Sequence, residues 1–128
     1  MSGGIDSSVA AYLLKKQGFE VEGVTMLIWR KDNNLKPAPN ANSCYNPREE
    51  EELEETKEIC RKLGIVHHTV VLKDLYETTV LKNFKSEYLN GRTPNPCIWC
   101  NTLIKFGAMV ESSRRLFDFD YFATGHYA

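Results

Sequence analysis

The chain has 128 residues, of which 42% are hydrophobic and 26% are charged, so size and composition fit one small globular domain. Its formal net charge of −1 excludes a protein that coats nucleic acid by bulk positive charge, although it permits a local basic surface. The longest apolar stretches, such as residues 23–29, are far shorter than the roughly 20 residues that cross a bilayer. No basic segment precedes an apolar leader, so we expect no membrane span and a cytoplasmic location.

Near its start the chain carries a loop of glycines and hydroxyl side chains, Ser-Gly-Gly-Ile-Asp-Ser-Ser, at residues 2–8. An apolar periodicity then predicts a helix over residues 9–17, closed by Gly18. Glycines allow the backbone to approach a ligand closely, and the first N–H groups of a helix attract anions. The loop therefore predicts a phosphate site, but not a kinase or GTPase, because the Lys-Ser/Thr ending of their loop is missing. A serine-capped turn without a ligand is the structural alternative.

The rest of the chain alternates between strand and helix patterns. We predict the following elements: a strand over 20–27, a loop over 30–47, a helix over 49–63 ended by Gly64, a strand over 67–72, a helix over 75–89, a loop over 91–101, a helix over 103–117 and a strand over 121–124. Such alternation indicates an α/β domain with a parallel sheet. Ligands of such sheets bind beyond the carboxyl ends of the strands, where the loops after Leu27, Leu72 and Thr124 open.

One strand is missing from this pattern. A phosphate loop of this kind follows a strand, but only Met1 precedes Ser2. We therefore expect residues 1–128 to be a single domain that lacks its first strand and is a fragment of a longer protein.

The four cysteines indicate thiol chemistry or a metal rather than disulfides, because no secretory signal is present. Cys60 falls on the apolar side of the helix over 49–63, so we expect it in the core. Cys44 lies in the long loop, and Cys97 and Cys100 form a Cys-x-x-Cys after Pro94 and Pro96.

Two cations flank the Cys-x-x-Cys, and a predicted helix begins just after it. Arg92, Lys105 and the helix expected from Leu103 would all favour a thiolate, and Cys100 is better placed than Cys97 to be a nucleophile. Two alternatives remain open. Structural zinc would need two more ligands from Cys44, His67, His68 and His126, which have no zinc-finger spacing. A thioredoxin-like dithiol expects a helix that starts within the motif, whereas prolines precede this one.

Taken together, these segments resemble a known family. Residues 2–8 resemble the pyrophosphatase loop of enzymes that split ATP into AMP and pyrophosphate. The motifs of this chain follow the order and spacing of those in the tRNA-specific 2-thiouridylases. The matching segments are residues 2–8, 23–26, Cys44, 91–101, 104–106 and 123–128. The resemblance implies a Rossmann-like adenine nucleotide alpha hydrolase domain of the PP-loop type. It also implies central and carboxyl-terminal tRNA-binding domains, which this chain does not contain.

The resemblance implies a reaction in which ATP adenylates O2 of the wobble uridine of tRNA and a cysteine persulfide then supplies sulfur, releasing AMP. It assigns nucleotide binding to Ser2, Gly3, Gly4, Asp6, Ser7, Ser8, Met26 and Gly125. Asp6 would lie near Mg²⁺, Met26 near adenine, and Gly125 where the nucleotide approaches a strand. From position alone, Met26 could equally be a core methionine.

The same resemblance assigns the target uridine to Asn95, Pro96 and Cys97, and the nucleophile to Cys100. His126 would contact tRNA, although a lone histidine often has a structural role. Several relatives carry Asp where this chain has Cys97, so Cys97 and Cys100 could also bind an iron-sulfur cluster that takes a third cysteine. The implied partners are tRNA and a persulfide-donating sulfur-carrier protein. An amidating ligase with the same loop and a non-catalytic ATP-sensing domain remain as alternatives.

Overall fold

The computed structural model describes residues 1–29 and 44–127, and their helices and strands alternate along the chain. Most of the predicted loop over 30–47 lies outside the described residues, as does Ala128. The described residues divide into two compact units. The first takes its members from Met1–Thr25, Trp29–Thr69 and Asp120–Ala128, and the second from Met26–Ile28 and Val70–Phe119. No helix of the described residues is both long enough and apolar enough to span a bilayer.

Helix α1 spans Ile5–Lys16 and begins four residues earlier than the sequence predicted. The prediction was wrong because Ser7 and Ser8 were assigned to the loop, whereas both lie in the first turn and donate their hydroxyls to the Gly4 carbonyl. The helix ends at Lys16, one residue before its predicted end, and Gly18 follows in the left-handed region with φ +90°, as expected of the glycine that closes it.

A two-stranded parallel sheet joins strands β1, Glu22–Leu27, and β2, Val66–Val71. Leu72 N–H, just after β2, donates to the carbonyl of Leu27 at the end of β1 over 2.8 Å, so the carboxyl ends of both strands meet at one edge. Helix α2, Glu49–Leu63, connects them and has the bounds that its sequence predicted. The fold is the expected α/β type.

Local signals explain the bounds of α2. Four glutamates fill its first turn, Arg61 and Lys62 lie in its last turn, and Gly64 ends it with φ +63°. Thr56 and Cys60 are buried on its inner face, where they belong to the core of the first unit together with Ala11 and Val24.

Two long helical segments make up most of the second unit. The first runs through α3, Lys73–Tyr76, a π-helical stretch, Glu77–Leu81, and α4, Lys82–Leu89. The second runs through α5, Pro96–Trp99, a π-helical stretch, Cys100–Ala108, and α6, Met109–Leu116. Val80, Cys100, Ile104 and Ser113 are buried in this unit.

Two predictions about the carboxyl-terminal third are wrong. The proline-marked loop ends at Asn95 rather than Asn101, so the predicted helix over 103–117 begins seven residues early and contains both cysteines of the Cys-x-x-Cys. The predicted strand over 121–124 is absent from the described residues, which have no regular structure there. A strand needs a hydrogen-bonded neighbour, and apolar composition alone does not provide one.

Candidate functional site

The glycine loop in front of α1 is built around Gly3. Its φ of +74° lies in the left-handed region, and a Cβ there would come within 2.7 Å of Thr56 Oγ1 on α2. Conformation and space therefore both require glycine at this position. Gly4 differs, because its φ of −74° suits any residue and a Cβ would find Ser2 Oγ at 3.5 Å.

The serines of the loop bind the loop itself. Ser7 Oγ and Ser8 Oγ lie 3.1 and 2.8 Å from the Gly4 carbonyl, and Ser2 N–H donates to Ser7 Oγ over 3.3 Å. No side chain of the described residues caps the first turn of α1. N–H groups of that turn and the positive end of the helix dipole are therefore available to an anion.

Residues 125–127 contact the first turn of α1. A Cβ on Gly125 would come within 2.7 Å of Asp6 C and Ser7 N, so only glycine allows the two backbones to approach this closely. The Tyr127 hydroxyl donates to Asp6 Oδ1 over 3.1 Å, and this hydrogen bond to a carboxylate raises the pKa of Tyr127. The structure thus places Gly125 beside Asp6 and Ser7, as a shared site requires.

Two further predicted residues keep their roles as predictions. Met26 is the second-last residue of β1 and is half-buried, a position open both to a core role and to contact with a ligand beyond the strand end. His126 is exposed, and its backbone N–H faces Thr124 Oγ1 at 3.4 Å.

The Cys-x-x-Cys lies at the start of a helix in the second unit. Asn95 caps this helix by accepting from Cys97 N–H over 3.1 Å, and Pro96 occupies the first helical position. Cys97 is exposed, whereas Cys100, one turn further on, retains only 6% of its accessible surface. The expectation that a helix beginning after Cys100 favours its thiolate is therefore wrong, because Cys97 occupies the first turn.

Arg92 was expected to favour a thiolate in the Cys-x-x-Cys, but its guanidinium pairs with Glu87. Its guanidinium donates from Nε and an Nη atom to both carboxylate oxygens of Glu87 over 2.6 Å. This bidentate pair raises the pKa of Arg92 and lowers that of Glu87, chiefly through the hydrogen bonds. A carboxylate five residues earlier was the missed signal, since the turn at Gly91 brings it within reach.

Cys60 is confirmed as a core residue, and burial raises the pKa of its thiol. The sequence did not predict that Thr56 packs against Gly3. The Thr56 hydroxyl donates to the Glu52 carbonyl over 2.7 Å. Tyr127 was missed as the partner of Asp6. Both contacts join residues far apart in sequence, and neither has a local signal.

Metal ligands do not gather among the described residues: no group of three or more His, Cys, Asp or Glu side chains is arranged to hold an ion. An iron-sulfur cluster or a structural zinc on Cys97 and Cys100 would therefore need further ligands from outside the groups that these described residues form. All four cysteines are thiols rather than disulfides.

An α/β domain with a glycine loop before its first helix belongs to the broad class of Rossmann-like phosphate-binding domains. Across residues 1–128 the chain matches the family described as tRNA methyl transferase HUP domain, and it belongs to that family.

Curated relatives carry a more specific name. The tRNA-specific 2-thiouridylase MnmA 1 of Caldanaerobacter subterraneus subsp. tengcongensis is 48% identical over 127 residues, covering 99% of this chain and 34% of the relative. The tRNA-specific 2-thiouridylase MnmA of Endomicrobium trichonymphae is 49% identical over 132 residues, covering 100% of this chain and 36% of the relative. The enzyme of that name from Acetivibrio thermocellus is 43% identical over 128 residues. The chain thus spans about a third of these relatives.

Proposed function

We propose that this chain is the ATP-using domain of a tRNA 2-thiouridylase. In the proposed reaction, O2 of the wobble uridine attacks ATP, pyrophosphate leaves, and sulfur from a cysteine persulfide then replaces the adenylated oxygen as AMP leaves. The observation that carries the proposal is the glycine loop at the uncapped start of α1, with Gly125 packed against Asp6 and Ser7. The family and the names of the relatives direct that phosphate chemistry to tRNA.

In the first step, charge develops on the leaving pyrophosphate. N–H groups at the start of α1 and the helix dipole would stabilise that charge without rearranging. The Ser7 and Ser8 hydroxyls would contribute once they turn from the Gly4 carbonyl to the phosphate. Since Mg²⁺ usually binds one or two carboxylates together with substrate phosphates and waters, Asp6 alone fits it as the protein ligand. Bound there, Mg²⁺ would neutralise phosphate charge.

Tyr127 and Mg²⁺ would compete for one oxygen of Asp6. The Tyr127 hydroxyl donates to Asp6 Oδ1, so it would have to turn away for that oxygen to hold Mg²⁺. Gly125 keeps residues 125–127 close to the loop.

In the second step a sulfur nucleophile must reach C2 of the activated uridine. We assign the attack on C2 to Cys100, and contact with the target base to Asn95, Pro96 and Cys97. The exposure of Cys97 suits contact with RNA, whereas Cys100 is buried and needs a small movement of its helix or entry of the flipped base.

Cys100 Sγ would displace AMP from C2. The outer sulfur of a persulfide, loaded by a sulfur-carrier protein onto a second cysteine elsewhere in the whole protein, would then displace Cys100 Sγ from C2, and the freed Cys100 thiolate would cleave the S–S bond to the second cysteine. The products are 2-thiouridine and a disulfide between Cys100 and that cysteine, which an external thiol reduces.

Two other functions share the loop but not the thiols. An amidating ligase would release pyrophosphate without RNA and would not need Cys100. An ATP-sensing domain would release neither AMP nor pyrophosphate. Methyl transfer, the reaction in the family's description, would leave methylated nucleosides rather than thiolated ones.

Mass spectrometry of tRNA nucleosides tests the proposal. A deletion strain should lose 2-thiouridine derivatives, and the whole gene should restore them. Cys100→Ser should lower them at least tenfold, whereas Cys44→Ser, an exposed thiol outside the Cys-x-x-Cys, serves as the matched control. Unchanged 2-thiouridine in the deletion strain, with no second thiolase present, would reject thiolation in favour of the ligase.

A further inference from the structure

The pair formed by Cys97 and Cys100 has the Cys-x-x-Cys spacing and the place near a helix start that are typical of thiol–disulfide exchange. Both residues lie at the start of one helix, three positions apart, with Asn95 and Pro96 defining its first turn. Both are thiols. The sequence argued against a thioredoxin-like pair because that motif expects a strand before it and a helix that starts within it, whereas prolines precede this one. The structure changes the second ground, since the helix starts at Pro96 and contains both cysteines.

We propose that Cys97 and Cys100 form a reversible intrahelical disulfide that switches this site off under oxidising conditions. The exchange itself does not depend on the proposed function, and only its effect on tRNA thiolation rests on it.

The spacing of Cys97 and Cys100 allows a disulfide between them, but that disulfide would be strained. Residues three apart on a helix have Cβ atoms about 5 to 6 Å from each other, whereas a disulfide prefers about 3.5 to 4.5 Å. Closing that gap requires the first turn to tighten. A disulfide formed under such strain is readily reduced, which a reversible switch requires of it.

Exposure determines the order of events. Cys97 is open to solvent, so its thiolate attacks one sulfur of an external disulfide, such as glutathione disulfide, and one glutathione thiolate leaves. Cys100 is only 6% exposed and is reached from within the protein, so its thiolate attacks Cys97 Sγ and displaces the second glutathione. The protein loses two electrons and two protons, and the external disulfide becomes two thiols.

The other two cysteines differ in ways that make them useful controls. Burial raises the pKa of Cys60, which keeps it protonated and shielded. Cys44 is exposed and has no cysteine three positions away on a helix.

The test equilibrates the purified protein with increasing ratios of glutathione disulfide to glutathione, then alkylates under denaturing conditions and measures mass. We expect the protein to lose two alkyl groups together and the mass of two hydrogens, with one cross-linked peptide joining Cys97 to Cys100. Dithiothreitol should reverse both changes. Cys97→Ser and Cys100→Ser should abolish the cross-link, and Cys44→Ser should leave its midpoint unchanged.

Several outcomes would overturn the switch. In one, glutathione remains on Cys97 while Cys100 is still alkylated; in another, the cross-link involves Cys44. Peptide mapping of the unsubstituted protein decides between these outcomes even if a variant fails to fold. The oxidised whole protein should also lose tRNA thiolation and regain it with dithiothreitol. A cross-link that forms in a protein whose reduced form never thiolates tRNA would leave the redox pair standing and reject the proposed function.

Discussion

At the scale of single residues, Gly3 and Gly4 are adjacent glycines under different constraints. A side chain at Gly3 would meet a left-handed backbone and Thr56 Oγ1 at 2.7 Å, whereas one at Gly4 meets only ordinary contact. We expect Gly3→Ala to lower the free energy of unfolding by about 2 kcal/mol or more and Gly4→Ala by less than about 1 kcal/mol.

Urea unfolding of the two variants measures this difference. Thr56→Ala in the Gly3→Ala background should recover part of the loss, because it removes the oxygen that the new methyl group meets. Equal losses for Gly3→Ala and Gly4→Ala would contradict the assignment of strain to Gly3.

The sequence predicted the local role of a residue, such as a turn or a core position, more reliably than it predicted the residue's contacts. The turn glycine at position 3 and the core position of Cys60 followed from local patterns. By contrast, the sequence could not show that Arg92 pairs with Glu87, or that Tyr127 reaches Asp6, because each depends on how the chain turns between them.

At the scale of elements, the exposed charges of α2 provide a test of pH dependence. Hydrogen bonds from Arg61 at 2.7 and 2.8 Å lower the pKa of Glu58 from 4.5 to about 2. A folded-state pKa below the unfolded value stabilises the fold above pH 4.5, and this contribution is lost as the pH falls toward about 2. The effect is small because the pair is exposed.

We expect Glu58→Gln to lower Tm slightly at neutral pH and to have no effect near pH 2, so that the two melting curves converge through the acid range. Glu55→Gln, a change at another exposed glutamate of the same helix, is the matched control. A Tm difference between Glu58→Gln and the parent that stays constant from neutral to acid pH would contradict this origin.

Helix and strand predictions were accurate where the signals are local in sequence, and they failed where the element depends on distant residues. The bounds of α2 were confirmed because its acidic first turn and terminal Gly64 are local signals. The start at Pro96 was missed, although Asn95-Pro96 is itself a capping signal, because the prolines were interpreted as a rigid loop. The strand over 121–124 failed because pairing is non-local.

At the scale of the whole molecule, the chain is about a third of its relatives and carries a net charge of −1. Affinity for RNA depends on many phosphate contacts that release counterions. We therefore expect the 128-residue chain to bind tRNA weakly and to lose binding steeply between about 50 and 200 mM salt. Fluorescence anisotropy with labelled tRNA, and with the whole protein as control, measures this. Tight binding that persists at high salt would contradict it.

The contact of Gly125 and Tyr127 with Asp6 also bears on how the protein is made. These partners are far apart in sequence: Tyr127 follows Asp6 by 121 positions. A ribosome adding about 5 to 20 residues per second would need roughly ten seconds to produce the second partner after the first. During that interval the first turn of α1 would emerge before residues 125–127 can pack against Asp6 and Ser7, so a chaperone or an early ligand would meet this turn without that contact.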